Sequence, residues 1–261
     1  MLALDIGASG MLAQQTNVEV ISNNIANMST VGYKRQRTEF QDLIYQNRTR
    51  PGSTSSDAGD VIPAGIQVGL GVKTGSVYRI NEQGSFQVTD NPLDLMINGR
   101  GFFQVERPDG QVGYTRNGQF QVNEDGELVT SDGFRIEPNI VIPEDAVEID
   151  INRSGEVLVR IEDQIDLQNV GQIEIAAFQN PAGLEAIGDN LFLETEASGN
   201  PILDNPAEAG FGQIEQGVLE SSNVDIVQEI TSLITAQRAY EMNSNVIRTA
   251  DEMANTTGQL R

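Results

Sequence analysis

The 261-residue chain contains no cysteine, no histidine and no tryptophan, and only 5% of its residues are aromatic. Without cysteine it has no disulfide, thiol nucleophile or thiolate metal site. Without histidine it lacks the commonest general base and metal ligand, which excludes Ser–His triads and histidine-based zinc sites. An enzyme could still use paired carboxylates or lysine as catalytic groups. The sequence predicts no cofactor and no metal.

Patterns that could indicate a ligand site are incomplete. The sequence GRG at 99–101 lacks the third glycine of a dinucleotide site, and the glycines at 65–71 lack the Lys-Ser/Thr of a P-loop. The acidic run at 123–127 lacks EF-hand spacing and predicts a hairpin turn. We therefore expect a protein that is not an enzyme. The alternative from another class is a secreted β-rich binding protein or a carboxylate-dependent glycosidase, which would show a cleft with two perturbed carboxylates.

The formal net charge of −22 is unevenly distributed along the chain. Residues 1–50 carry +1 and residues 220–261 carry −3, which leaves −20 for the middle. An acidic surface argues against nucleic acid or an anionic membrane as a partner, although ordinary solubility accounts for most of the charge. No stretch approaches the ~20 apolar residues of a membrane span. The N-terminus shows no cleavable signal peptide, so these features alone predict a cytoplasmic protein.

Apolar residues recur every seven positions at both ends of the chain, and this spacing predicts helices that face a partner helix. The two series are Leu4, Met11, Val18 and Ile25, and then Ile226, Leu233, Tyr240, Ile247 and Ala254. Companion positions are more polar: Gly7, Gln14, Ile21 and Met28 at an offset of three, and Ile230, Gln237, Ser244 and Asp251 at an offset of four. Such seams suit a split coiled coil completed by neighbouring copies, whereas an ordinary two-helix bundle is the alternative.

The predicted fold class is α+β, with terminal helices pairing as a coiled coil around an inserted, mainly-β body. The first helix is expected from Ala3 to Asn27, and Gly32 suits a left-handed position after it. Asx-Gly pairs predict hairpins in a sandwich or open barrel. Ser222 is expected to cap the second helix, with Asp225 closing a capping box. We thus expect a helical domain at 1–32 plus 222–261, an extended bracing segment at 33–72 and a β domain at 73–221.

Both ends of the chain resemble signatures of the bacterial flagellar rod and hook protein family. The N-terminal matches are SGMLAQQ (9–15), ISNNIAN (21–27) and TVGYK (30–34), and the C-terminal matches are GVLESSNVD (217–225) and AQRAYEMNS (236–244). In the middle, NPLDL (91–95), GRGFFQV (99–105), YTRNG (114–118) and NPAGLEA (180–186) resemble the distal-rod members of that family. Asn245 departs from the pattern, where the family usually has lysine.

The resemblance implies a structural subunit that polymerises with itself into a hollow helical shaft, transmits torque to the hook and forms the export channel. It implies proximal rod proteins, the hook protein and its hook–rod interface, the surrounding P-ring and L-ring proteins, and the flagellar type III export apparatus as partners. It moves the expected localisation to the basal body, spanning the periplasm toward the outer membrane after export without a cleavable signal. A hook or proximal rod subunit is the alternative, although a hook protein normally carries a larger outer insertion.

From the helical pattern and the resemblance together we expect particular residues at contacts between copies. In the helices they are Leu4, Met11, Val18, Ile21, Asn23, Asn24, Ile25, Asn27, Ile226, Leu233, Gln237, Tyr240 and Ile247. In the bracing segment they are Tyr33, Lys34, Arg35, Phe40, Gly65, Gly69 and Gly71, with Phe40 on a short helix or an extended arm. The three asparagines either hydrogen-bond across copies or line a hydrated channel.

Overall fold

The computed structural model describes residues 2–51, 64–162 and 166–259, so the part of the expected bracing segment at 52–63 lies outside them. Two long helices stand at the ends, α1 (Leu2–Ala26) and α2 (Ile226–Gln259), with a short 3-10 turn at Pro181–Gly183. The strands are β1 (Gln36–Asp42), β2 (Tyr45–Thr49), β3 (Ile66–Gly69), β4 (Val72–Arg79), β5 (Phe86–Val88), β6 (Leu95–Asn98), β7 (Phe102–Glu106), β8 (Val112–Thr115), β9 (Phe120–Val122), β10 (Leu128–Thr130), β11 (Arg135–Glu137), β12 (Ala146–Ile151), β13 (Glu156–Ile161), β14 (Gln168–Gln172), β15 (Ile175–Ala177), β16 (Glu185–Gly188), β17 (Leu191–Leu193), β18 (Ile202–Asp204), β19 (Gln213–Gln216) and β20 (Val218–Glu220).

The chain divides into two compact units. Unit 1 comprises residues 1–26, 36–78 and 225–261, and unit 2 comprises residues 27–35 and 79–224. In unit 1, α1 packs against α2 and β1. The same unit contains a β1–β4 pair and an antiparallel β2–β3 pair in which Tyr45 lies opposite Gly69.

Unit 2 is built around a nine-stranded sheet in the order β16-β17-β8-β7-β11-β10-β9, with β15 pairing with both β7 and β18. A three-stranded sheet (β12-β13-β14) and the pairs β19–β6 and β20–β5 complete it. Because successive strand residues face opposite sides of a sheet, Phe103 joins the main core while Phe102 joins a smaller cluster with Tyr114, Ala176 and Leu184. The main core also contains Leu95, Ile97, Phe120, Leu128, Ile136, Ile140, Ile142, Ile151, Val157, Val159, Ile173, Ile175 and Ile214.

One five-residue turn, Asn-x-x-Gly-Glu, occurs twice in unit 2. The Asn123 side-chain oxygen accepts hydrogen bonds from the amides of Asp125 and Glu127, at 3.0 and 2.8 Å. Asn152 accepts from Ser154 and Glu156 in the same way, both at 3.0 Å. The glycines at 126 and 155 have φ values of +80° and +82°, a conformation that glycine adopts at little cost. The hairpin turn expected at 123–127 is therefore present.

The α+β fold class is confirmed, because the terminal helices pack together and the residues between them are mainly β. The left-handed position at Gly32 is also confirmed, with φ of +70°. Phe40 lies on strand β1, so the extended alternative holds there. The prediction that Ser222 caps the second helix was wrong. Helix α2 begins at Ile226, and Asp225 caps it, because its carboxylate accepts hydrogen bonds from the amides of Val227 (2.9 Å) and Gln228 (3.1 Å).

Candidate functional site

The two terminal helices approach closely because α1 carries glycine where α2 crosses it. A Cβ atom added at Gly7 would lie 2.8 Å from Ile247 Cγ1, and one added at Gly10 would lie 2.8 Å from Asn243 Nδ2. Small residues of this kind let helix backbones approach more closely than leucine or isoleucine would. The cost is that these positions contribute little apolar surface to the contact.

A polar cluster in unit 1 ties α1 to α2 and to β1. Asn24 is 1% exposed. Its side-chain nitrogen donates to the Gln36 carbonyl (2.8 Å) and to the Glu229 carboxylate (3.2 Å), while its oxygen accepts from the Gln36 amide (2.9 Å). The bonding of Asn24 is thus accounted for within one chain. An interface role for Asn23, Asn24 and Asn27 stays a prediction.

The helix pair buries few apolar side chains for its length. Among its described side chains, the buried apolar residues are Ala13, Val20, Ile21, Ala236 and Ala250. A groove of about 350 Å³ lies along the pair and is lined by Gln14, Asn17, Thr231, Ser232, Thr235, Ala236 and Ala239. Since burial of apolar area is the main favourable term in folding, this pair gains less from apolar burial within a single chain than a leucine-rich pair would.

The expected seam residues lie at the edges of the helix contact more often than at its centre. Ile21 is buried, while Leu4, Met11, Val18, Ile25, Leu233 and Ile247 are half-buried, and Ile226, Gln237 and Tyr240 are exposed. The buried α2 series is Glu229, Ala236 and Ala250, three residues after the apolar series, so the expected offset of four was wrong. Whether the seam residues contact a second copy stays a prediction.

An apolar stripe lies on the first part of α2, on the side away from its buried residues. At 100° per residue, Val227, Ile230 and Ile234 point roughly opposite to the buried series Glu229, Ala236 and Ala250, and Val227 is 75% exposed. Met242 and Val246 are also exposed farther along α2, at smaller angles from the buried series. Further exposed apolar residues on the two helices are Leu12, Ile226, Tyr240 and Met253. Asn245, the departure from the family pattern, is exposed on the same helix and accepts a hydrogen bond from Arg248 (2.9 Å).

The residues expected to brace neighbouring copies fall into both units. Gly71 in unit 1 has φ of +116°, and after it the Val72 amide donates to the Ser9 hydroxyl of α1 at 3.3 Å. Phe40 is exposed on β1. Gly65 precedes β3 and Gly69 is its last residue, and both glycines are half-buried. Tyr33, Lys34 and Arg35 belong to unit 2, where Lys34 is fully buried and the other two are half-buried.

Lys34 is one member of an ionic cluster in unit 2, here called the ionic junction and formed by Lys34, Arg116 and Glu220. Lys34 Nζ lies 2.5 Å from Glu220 Oε1, and it also donates to the Glu82 carbonyl at 2.8 Å. Arg116 Nε lies 3.2 Å from Glu220 Oε2, an ion pair whose orientation does not make a hydrogen bond. The side chains of all three are less than 7% exposed.

Burial decides the electrostatics of the ionic junction. Loss of solvation lowers the pKa of Lys34, and the nearby Glu220 carboxylate offsets only part of that effect. Burial likewise lowers the pKa of Arg116 against the opposing influence of Glu220. Two cations therefore share one carboxylate in a place where an unpaired charge is costly.

Backbone contacts join the same distant segments. The Gly32 amide donates to the Glu220 carbonyl at 2.8 Å, and the Arg35 amide donates to the Asn223 side chain at 2.7 Å. Sequence reasoning selected Lys34 but missed Arg116 and Glu220, although both stand in the quoted motifs. A signal was present, since charged residues inside motifs rich in glycine and β-formers are candidates for buried pairs.

Glu127 does not resemble the acid of a glycosidase. Hydrogen bonds from Asn123 and Asn139 lower the pKa of its carboxyl group, whereas a catalytic acid needs a raised pKa. Among the described residues, neither helix combines the length and apolar character needed to cross a membrane.

Three family models match the chain. Residues 4–34 match the model described as flagella basal body rod protein, residues 96–159 match the flagellar hook protein FlgE/F/G D1 domain, and residues 215–260 match the flagellar basal body rod FlgEFG protein C-terminal. Each member of the ionic junction falls in a different one of these ranges.

Full-length relatives agree with these matches. The chain is 59% identical to the flagellar basal-body rod protein FlgG of Caulobacter vibrioides over 100% of both chains. It is 53% identical to FlgG of Agrobacterium fabrum over 97% of both, and 46% identical to FlgG of Borreliella burgdorferi over 100% of this chain and 99% of the relative. The chain therefore belongs to the FlgG family of flagellar basal-body rod proteins.

Proposed function

We propose that this chain is a structural subunit of the distal rod of the flagellar basal body, where copies polymerise through their terminal helices into a hollow helical shaft. Its family consists of flagellar rod proteins, which supports a mechanical role over an enzymatic one. The shaft would transmit torque to the hook and enclose the export channel. The observation that carries the proposal is the apolar stripe on α2, which one chain leaves exposed.

The stripe and the weak helix pair support the same mechanism. A second copy that covers Val227, Ile230 and Ile234 would bury apolar area that a single chain cannot, at roughly 25 cal/mol per Å². Repeated at every subunit, this contact would stabilise the wall of the tube and resist sliding under torque. The predicted seam residues Met11, Val18, Leu233 and Ile247 are half-buried, so they retain surface for a neighbour.

The proposal includes specific partners and a place in the cell. The family places the chain in the flagellar basal body. Within it, the expected partners are further copies of the chain, proximal rod proteins, the hook protein, the P-ring and L-ring proteins, and the type III export apparatus. The expected location is the periplasm toward the outer membrane.

The test replaces apolar residues of the stripe and leaves the contact between α1 and α2 unchanged. We expect a Val227→Gln, Ile234→Gln double variant to fold normally and to lose polymerisation, because both side chains are exposed in the single chain. The matched control is Ile202→Gln with Leu203→Gln, an exposed apolar pair on β18. Sedimentation and electron microscopy would follow polymer formation, and circular dichroism would check the fold. Normal polymers from the stripe variant, or equal loss in the control, would contradict the proposal.

A further inference from the structure

A cavity of about 260 Å³ lies beside the ionic junction, wholly within unit 2. Lys34, Arg100 and Arg116 line it, and none of the described residues that line it is acidic. Phe102 and Phe178 form an apolar wall, with ring centroids 5.9 Å apart. We call this space the cationic cavity.

The buried cations of the cationic cavity have unused hydrogen-bond donors. An ammonium has three N–H donors and a guanidinium has five. Within the described residues, Lys34 donates to the Glu82 carbonyl and to Glu220. Arg116 donates to the carbonyls of Gly101 (2.7 Å) and Gly99 (2.8 Å). At least one N–H of Lys34 and two of Arg116 are left without an acceptor among those residues.

The charge balance of the cavity also favours an anion. Lys34 and Arg116 are 4% and 7% exposed, and within the part of the chain that the structure describes the carboxylate that pairs with them is that of Glu220. Arg100 adds a third positive charge at the exposed edge of the cavity. In apolar surroundings an uncompensated cation is destabilising, whereas a bound carboxylate would accept the unused N–H donors and offset the charge.

We propose that the cationic cavity binds one carboxylate, supplied by an aspartate or glutamate side chain of a second copy of this chain. The volume is below the roughly 300–1,000 Å³ of pockets for drug-sized molecules, and it suits a single side chain. Each copy carries 38 acidic residues and a net charge of −22, so a neighbour offers many carboxylates. The identity of the occupant rests on the proposed polymerisation.

The first experiment tests the cavity in the soluble full-length chain. Acetate is titrated against chloride at equal ionic strength while the amide signals of Gly99 and Gly101 are followed by NMR. We expect saturable shifts, and we expect Arg100→Gln to weaken acetate binding by roughly three- to tenfold because it removes a charge from the rim. Arg160→Gln, at an exposed position on β13, is the control and should leave binding unchanged. Absence of saturable binding, or equal weakening in both variants, overturns the carboxylate site.

The second experiment identifies the occupant in the polymer. Arg100→Lys keeps the charge and gives a primary amine that carbodiimide can join to a carboxylate in contact with it. The natural sequence has two lysines, and because Lys34 lines the same cavity, mass spectrometry must assign each cross-linked peptide to position 34, 73 or 100. With mixed ¹⁴N and ¹⁵N chains, we expect an isopeptide bond from position 100 to an acidic residue of the other copy. Arg160→Lys is the control.

The outcomes separate the inference from the proposed function. A polymer that forms normally but gives no cross-link between copies at position 100 overturns the second-copy occupant and leaves the rod function intact. If acetate still binds in that case, the cavity takes a free carboxylate instead. A wild-type chain that does not polymerise overturns the proposed function, and the acetate titration then decides the carboxylate site alone.

Discussion

Single charged residues carry much of the long-range order in unit 2. Glu220 joins Lys34, Arg116 and the Gly84 amide, which lie 186, 104 and 136 positions away along the chain. We expect Glu220→Gln to lower the free energy of unfolding of unit 2 by about 3 kcal/mol or more, because it leaves two buried cations without a carboxylate. Denaturant unfolding followed by circular dichroism measures the change.

Glu148→Gln is the matched control for that substitution. Glu148 pairs with Arg160 at 2.6 Å, but both side chains are about half exposed, so the loss should stay below about 1 kcal/mol. A Glu220→Gln variant no less stable than Glu148→Gln would contradict the structural importance of the ionic junction.

The lowered pKa of Lys34 predicts a pH dependence of stability. The folded chain releases this proton at a lower pH than the unfolded chain, whose lysine pKa is near 10.5. Between those two values the unfolded state binds more protons, so this group makes the free energy of unfolding rise with pH. We expect Lys34→Met to remove part of that rise on the alkaline side of neutrality, up to pH 10.

Lys73→Met, at an exposed position of β4, is the control and should keep the wild-type slope. The scan ends at pH 10 because burial raises the pKa of Tyr114 to about 12. Above pH 10 the unfolded tyrosine loses its proton first, and stability falls for that reason. Equal slopes in wild type and Lys34→Met would contradict the prediction.

The ionic junction could not be predicted from the sequence. Lys34, Arg116 and Glu220 lie in three distant segments of the chain. No local sequence pattern indicates that these segments meet. The left-handed conformation of Gly32 could be predicted, because it depends on a local pattern, a glycine that follows the end of a helix.

At the scale of elements, the terminal helices were predictable and their register was not. The bounds of α1, Leu2–Ala26, lie within a residue of those predicted from the seven-residue repeat. The contact itself follows small and polar residues such as Gly7, Gly10 and Asn24, which apolar periodicity does not detect. The cap of α2 was misplaced because Ser222 and Asp225 are both good capping residues, and tertiary context selected Asp225.

The glycine contact between the helices can be tested directly. We expect Gly7→Leu to destabilise the helix pair by about 1–3 kcal/mol, because the new side chain would collide with Ile247. Hydrogen exchange of peptides from α1 and α2 measures the local loss.

Gly258→Leu is the control at another helical glycine, where an added Cβ meets no atom within 4 Å. Helix propensity alone predicts that this change is neutral or stabilising, by up to about 1 kcal/mol. Unchanged helix protection in Gly7→Leu would show that close approach of the helices is not required.

At the scale of the whole molecule, burial is unequally divided. Among the described residues, the main core of unit 2 contains fourteen buried apolar residues, including Phe103 and Phe120, whereas the helix pair contains five, three of them alanine. The exposed apolar stripe belongs to the weaker part. This division agrees with the proposal that one sequence specifies a stable β unit together with helices that a second copy completes.

Hydrogen exchange with mass spectrometry, on the soluble chain and then on its polymer, tests that account most directly. We predict that amides in α1 and α2 exchange at least tenfold faster than those of β6–β8 in the soluble chain, because segments with few buried contacts open locally at low cost. In the polymer the same helices should become as protected as the β core. If α1 and α2 are already as protected as β6–β8 in the soluble chain, the helices are completed without a neighbour, and the central claim is wrong.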